Sequence, residues 1–138
     1  MKTHFFRRAF TLLDLAMVII VLLILSGIAI PKYFEYRAAA AAQQTKMILS
    51  SVRSAVAEFW ADSVARGADH GYPTLVGLQT AGIVLKEPIP ANPYNNDNKI
   101  ASAIWDETLP VSGTNGWNYD SVRGRFWANS KTVDENTW

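Results

Sequence analysis

Asp14 is the residue that most demands a chemical explanation, because it opens a greasy stretch in which residues 15–30 carry no charged side chain at all. A carboxylate in hydrocarbon costs about 2.5–3.5 kcal/mol even on insertion scales, so Asp14 needs a partner. Arg7 and Arg8 precede it by seven and six residues, and a cut just before the apolar run would expose a further cation, a new α-amino group. An amine and a carboxylate attract strongly where water is scarce, since Coulomb energy grows as the local dielectric falls.

No second constellation competes with it. The chain has no cysteine, which excludes a disulfide framework, thiolate metal sites and thiol catalysis. Its two histidines are His4, near the start, and His70 beside Asp69 in a glycine-containing loop, an arrangement that argues against a zinc site or a Ser-His-Asp triad. Ser63 and Ser112 have no visible base, so no catalytic residue, metal site or cofactor is assigned. With 13 Lys and Arg against 12 Asp and Glu, spread without a basic block, no nucleic-acid surface is expected.

The elements that carry Asp14 follow from hydropathy. Residues 1–9 hold Lys2, Arg7 and Arg8 with no acid, the layout of a targeting segment whose positive end stays cytoplasmic. Residues 10–30 are apolar except for Thr11, Asp14, Ser26 and Gly27. As a helix they extend about 32 Å, one hydrocarbon thickness. No later run is long enough to cross again. Beyond Pro31 the pattern turns one-sided: Ile48, Val52, Ala55, Val56 and Phe59 recur at helical spacing, while Lys46, Ser50, Arg53, Glu58 and Asp62 occupy the other face. Alanines 38–42 join the two parts, so one helix is expected from near Phe10 to near Arg66, stopped by Gly67. Gly27 and Pro31 predict a kink or local unwinding.

The remainder reads as a small head. Thr74 caps a short helix through Leu75, Leu78 and Ala81 that ends at Gly82. Pro88, Pro90 and Pro93 keep residues 86–94 extended and out of any central strand. Trp117-Asn118-Tyr119, turn chemistry over residues 120–124, and Arg125-Phe126-Trp127-Ala128 predict a β-hairpin, with residues 100–105 a further strand. Trp60, Trp105, Trp117, Tyr119, Phe126 and Trp127 are assigned to core packing. The fold class is α+β: a long N-terminal helix, half membrane and half amphipathic, packed on a small C-terminal antiparallel sheet.

Arg7-Arg8-Ala9-Phe10-Thr11-Leu12-Leu13-Asp14-Leu15, a basic leader running into an apolar stretch, resembles the class III signal of type IV prepilins and type II secretion pseudopilins. The resemblance implies a leader over residues 1–9, a transmembrane and assembly segment over 10–30, and a periplasmic pilin-like domain over 31–138. It places peptidase cleavage between Ala9 and Phe10, N-methylation on Phe10, and Asp14 opposite a neighbouring subunit's N-terminal amine, a pair that would set register between subunits because a misplaced copy leaves both charges in lipid. Pro31 matches the proline that commonly follows the family's apolar segment. Ala9 stands where the family normally has glycine, and Asp14 where it has glutamate. The head resembles the pseudopilin type through Tyr72-Pro73-Thr74, the proline-rich crossing and Gly116-Trp117-Asn118-Tyr119-Asp120 followed by Gly124. Some pseudopilins hold calcium in a terminal loop, and no such ligand role is assigned to Asp106, Glu107 or Asp120.

The implied function is that of a non-enzymatic subunit of a type IV pilus-like filament, foremost a pseudopilin. Its implied partners are further copies of itself, the prepilin peptidase and N-methyltransferase, an inner-membrane assembly platform and lipid. The implied location is the bacterial inner membrane, with the head in the periplasm or, after assembly, at the cell surface. Other readings stay open: a type IV pilus pilin, a single-pass anchored binding module, or a secretory signal cut near Gly27-Ile28-Ala29, although neither an anchor nor a signal needs Asp14.

Overall fold

A computed structural model of the chain describes residues 10–67 and 71–138. In order, the elements are α1 (Leu12–Ala65), α2 (Leu75–Gln79), β1 (Ile100–Ser102), β2 (Trp117–Asp120), β3 (Arg125–Ala128) and a 3-10 turn at Glu135–Thr137. The layout is α+β and pilin-like. The chain divides into two compact units, the second being Ala39–Trp138.

In the first unit every described residue is exposed. Its backbone forms a helix without any packing partner, because all but one of the carbonyls between Leu12 and Pro31 can be satisfied along the segment itself. Residues 27–31 are helical throughout, so the expected local unwinding at Gly27 and Pro31 does not occur. Pro31 has no N–H, and the Gly27 carbonyl therefore lacks its partner one turn on.

The second unit is built on the stripe foreseen for the later part of α1. Ile48, Leu49, Val52 and Val56 are buried there, with Thr45 closing the stripe by donating its hydroxyl to the Ala41 carbonyl at 2.9 Å. The helix stops at Ala65, and Gly67 takes a positive φ of 80° just beyond it. Thr74 caps α2 by accepting from the Gly77 N–H at 3.1 Å. α2 ends at Gln79, three residues before Gly82, because Thr80 turns extended and its hydroxyl and N–H both bond the Val76 carbonyl.

The sheet has the order β1-β2-β3 and is mixed. β2 and β3 form the foreseen antiparallel hairpin, with Trp117 opposite Ala128 and Tyr119 opposite Phe126. β1 runs parallel to β2, which corrects the expectation of a wholly antiparallel sheet. Residues 103–116 make the difference, since they cross back over the sheet and return the chain to the same end before β2 begins. Trp117, Tyr119, Phe126 and Ala128 join the α1 stripe, Leu78 and Ile89 in one core. Asn118 and Trp127 project from the opposite face, and residues 103–116 cover them.

That cover is held by polar bonds. Asn118 Nδ2 and Trp127 Nε1 both donate to the Pro110 carbonyl, at 2.8 and 3.1 Å. Asn129 Oδ1 accepts from the Ser112 N–H at 2.7 Å, and its Nδ2 donates to Ser112 Oγ at 2.8 Å. Asn92, fully buried, donates to the Gly116 carbonyl at 2.9 Å and to Ser130 Oγ at 2.8 Å. Of the aromatics assigned to the core, Trp117, Tyr119, Phe126 and Trp127 are buried, Trp105 is half-buried edge-on to Trp127, and Trp60 is 42% exposed and stacked on Tyr72.

Gly116 lies where the proline-rich crossing meets β2, and a Cβ added there would overlap the Asp97 main-chain carbonyl. Gly116→Ala is expected to destabilise the second unit by about 1–3 kcal/mol, because backbone rather than a flexible side chain must move. Thermal unfolding of the detergent-solubilised full chain, followed by near-UV circular dichroism, checks this against Gly27→Ala, where a Cβ meets nothing.

Candidate functional site

Asp14 lies in the first turn of α1. Its Oδ2 accepts from the Thr11 N–H at 3.0 Å and from the Thr11 hydroxyl at 2.8 Å, while the Asp14 N–H donates to Thr11 Oγ1 at 3.2 Å. This is a capping box: the residue before the helix and the third residue within it satisfy each other's free N–H groups. The carboxylate also sits at the positive end of the helix dipole. Sequence reasoning sought a cation for Asp14 and passed over Thr11. The signal was present in the spacing Thr11-Leu12-Leu13-Asp14, a threonine followed three residues later by an acid.

Phe10 is 75% exposed immediately before this box. Ala9, the other half of the expected cleavage site, lies outside the described residues, as do Arg7, Arg8, Asp69 and His70. Gly27 and Pro31 stand a turn apart on α1, both exposed. Between Asp14 and Pro31 the side chains are exposed and, apart from Ser26 and Gly27, apolar, and the helix is long and apolar enough to cross a membrane. Just past Pro31 come Tyr33, Phe34 and Tyr36, all exposed, with Lys32 paired to Glu35 at 2.7 Å and Arg37 5.9 Å from the Tyr33 ring centroid. Aromatic rings mixed with cations at the end of an apolar span suit a membrane–water boundary. The site is thus a surface, and its chemistry is burial of hydrocarbon and placement of one charge.

Among curated proteins the chain is 32% identical over 94 residues to the type IV major fimbrial protein FimA of Dichelobacter nodosus. The chain is similar to a type IV pilin. The match takes in 67% of this chain and 58% of the relative, so the chain spans a little over half the length of the curated relative it matches. No protein-family model and no solved structure matches the chain. The likeness and the α+β layout agree on a pilin-like chain whose N-terminal helix fits a membrane anchor.

Two acids of the second unit, Asp120 and Glu135, are used structurally. Asp120, 4% exposed, accepts from the N–H groups of Trp105, Val122 and Arg123 and pairs with the Arg123 guanidinium at 2.9 Å, which closes the hairpin turn. Burial pushes its carboxyl up, but these donors outweigh burial and hold it below the usual carboxylate range. Glu135, fully buried, accepts from the Thr132 and Val133 N–H groups at 3.0 and 2.7 Å. There too burial acts upward and is outweighed, by Ser130, Val133 and Thr132, so the carboxyl is lowered. Asp106 and Glu107 are exposed. Burial, then the nearby Asp120 charge, raise the Tyr119 hydroxyl, which donates to the Pro73 carbonyl at 2.9 Å.

A carboxyl whose folded pKa is lowered adds stability above its unfolded value, and that stability is lost as pH falls through the folded value. Thermal midpoints are therefore expected to hold from neutral pH to about 5 and to fall below about 4. Asp120→Asn should start lower at neutral pH and fall less steeply on acidification. A pH series of melting curves on both proteins checks the sign.

Proposed function

We propose that the chain is a non-enzymatic structural subunit of a type IV pilus-like filament, anchored in the bacterial inner membrane by residues 10–30 with its head in the periplasm. The observation that carries this reading is the exposed apolar helix: no residue of the second unit is needed to form it, and a single chain leaves all of its hydrocarbon uncovered. Lipid covers that surface before assembly and copies of the same helix cover it afterwards. Side-chain packing replaces acyl-chain contact without a large change in polarity. A heterologous contact of this kind extends into a helical polymer, because it does not close on itself.

The reading includes removal of residues 1–9 by a prepilin peptidase between Ala9 and Phe10, N-methylation of Phe10, and delivery to an inner-membrane assembly platform. The new amine on Phe10 of one subunit then meets Asp14 of the next. Gly27 and Pro31, with one helical hydrogen bond missing between them, supply a point at which α1 can bend during packing. The absence of cysteine supports a type II secretion pseudopilin, which needs no disulfide-bounded terminal loop. The relative's fimbrial name supports a pilus pilin.

Two measurements test this. Mass spectrometry of the native N-terminal peptide is expected to show a chain beginning at Phe10 with one added methyl group, and a mature chain still beginning at Met1 would favour an anchored binding module instead. Because Asp14 also caps the helix, charge and cap must be separated. Asp14→Asn keeps an oxygen for Thr11 but loses the charge, and Thr11→Val keeps the charge but loses the hydroxyl. Filament yield is expected to fall about tenfold with the first, as for loss of a charge pair out of water, and by much less with the second. Equal losses would assign Asp14 to capping alone.

A further inference from the structure

Two open grooves flank the part of α1 that belongs to the second unit, and they differ in charge. The first, with a volume of about 610 Å³, is walled by Lys46, Ser50, Arg53 and Trp138. It adjoins, through Arg53 and Trp138, a hollow of about 280 Å³ completed by Trp105 and Arg125. Among the described residues, no Asp or Glu side chain lines either space. Lys46 Nζ stands 4.7 Å from the Trp138 ring centroid, and Arg125 Cζ stands 5.3 Å from that of Trp105. Arg53, half-buried between them, is fixed by donating Nε to the Phe126 carbonyl at 3.0 Å and Nη2 to the Trp138 main-chain oxygen. The ion pairs among the described residues are Lys32–Glu35, Arg66–Asp62 and Arg123–Asp120, so Lys46, Arg53 and Arg125 have no Asp or Glu partner there.

Arg53 and Arg125 repel one another, and the indole faces beside Lys46 and Arg125 compensate their charge only in part. Burial and then the Arg125 charge press the Arg53 guanidinium toward a lower pKa. A carboxylate entering this groove gains charge-assisted hydrogen bonds in a partly dehydrated setting, where they are stronger than at an open surface.

The second groove, of about 980 Å³, lies on the other flank of α1, between it and residues 84–90. Its floor is apolar, with Met47, Val52 and Leu85 among its lining, and its titratable groups are Glu58, Glu87 and Lys86. All three are exposed, and neither acid has an ion-pair partner among the described residues. Ser54, which lines both spaces, marks the ridge between them.

We propose that the Lys46, Arg53 and Arg125 groove of one copy receives the Glu58 and Glu87 rim of a second copy, giving a head-to-head contact along the filament. The inference deepens the filament reading and rests on it. A second copy is the occupant because the complementary acids are on the same chain. Placement of the two surfaces on opposite flanks of one helix also lets the contact repeat from copy to copy instead of closing into a pair.

The chain has no cysteine, so introduced thiols report the contact without background. Ser50 lines the basic groove and Gln44 the acidic one. Filaments containing both Ser50→Cys and Gln44→Cys subunits are expected to form disulfide-linked pairs on mild oxidation, and filaments of either variant alone are not. Lys46→Glu with Arg125→Glu should cut crosslinking by about tenfold or more, and adding Glu58→Lys and Glu87→Lys should restore it. Arg53 is left untouched because it ties main-chain oxygens, and circular dichroism of each variant confirms that the head is folded. Mixed filaments of the Ser50→Cys and Gln44→Cys subunits that form but give no crosslink overturn the docking and leave the filament reading standing. Loss of crosslinking that the compensating pair fails to restore in a folded head also overturns the docking. Failure of the wild-type chain to polymerise overturns both. Capture of the folded chain on heparin, abolished by Lys46→Glu while crosslinking persists unchanged, would give the groove to an acidic polymer and likewise overturn the proposal.

Discussion

Hydrocarbon that one chain cannot cover is the constraint on which everything else in this protein depends. From Phe10 to Ile30 the helix presents leucine, isoleucine and valine on every side, and none of it is buried. A soluble helix would carry a polar face, and this segment has none, so an apolar surrounding is a condition of its existence. The backbone is indifferent to which surrounding is supplied. In the proposed filament, that indifference lets the same segment serve as an anchor in lipid and then as a packed element among copies of itself.

The head meets the opposite problem. It is small, and its three short strands would leave one sheet face bare. The stripe Ile48, Leu49, Val52 and Val56 closes that face over Trp117, Tyr119 and Phe126. The other face is closed by chain without regular structure, and irregular backbone can be buried only when its polar groups find partners. Asn92, Asn118 and Asn129 supply them. These asparagines act as mortar between β2, β3 and the crossing segments, and each is nearly or fully buried.

Asp14 shows how one side chain can serve two needs at different stages. In the single chain it satisfies the free N–H of Thr11 and sits at the positive end of the helix dipole, which lowers the cost of bringing a carboxylate into an apolar segment. In the proposed polymer the same oxygens face an amine from a neighbour. The two roles are compatible because a carboxylate accepts several hydrogen bonds.

Local pattern was sufficient for whatever local physics governs. The long helix, its stop near Gly67, the Thr74 cap and the hairpin at Trp117 to Ala128 were all readable, because hydropathy period, capping residues and turn residues act over a few positions. The Thr11–Asp14 box was readable in the same way, though overlooked in favour of a distant cation. Three things waited for the fold. β1 is parallel to β2 because of the path of residues 103–116, and nothing periodic in that segment announces a path. The buried asparagines look like surface residues in a sequence, since their polarity is cancelled only by partners up to 38 positions away, as between Asn92 and Ser130. Lys46, Arg53 and Arg125 are scattered along the chain, and only the packing of α1 against β3 gathers them into one groove. Charge and hydropathy are properties of residues, but the partner that a charge finds, or lacks, is a property of the folded neighbourhood.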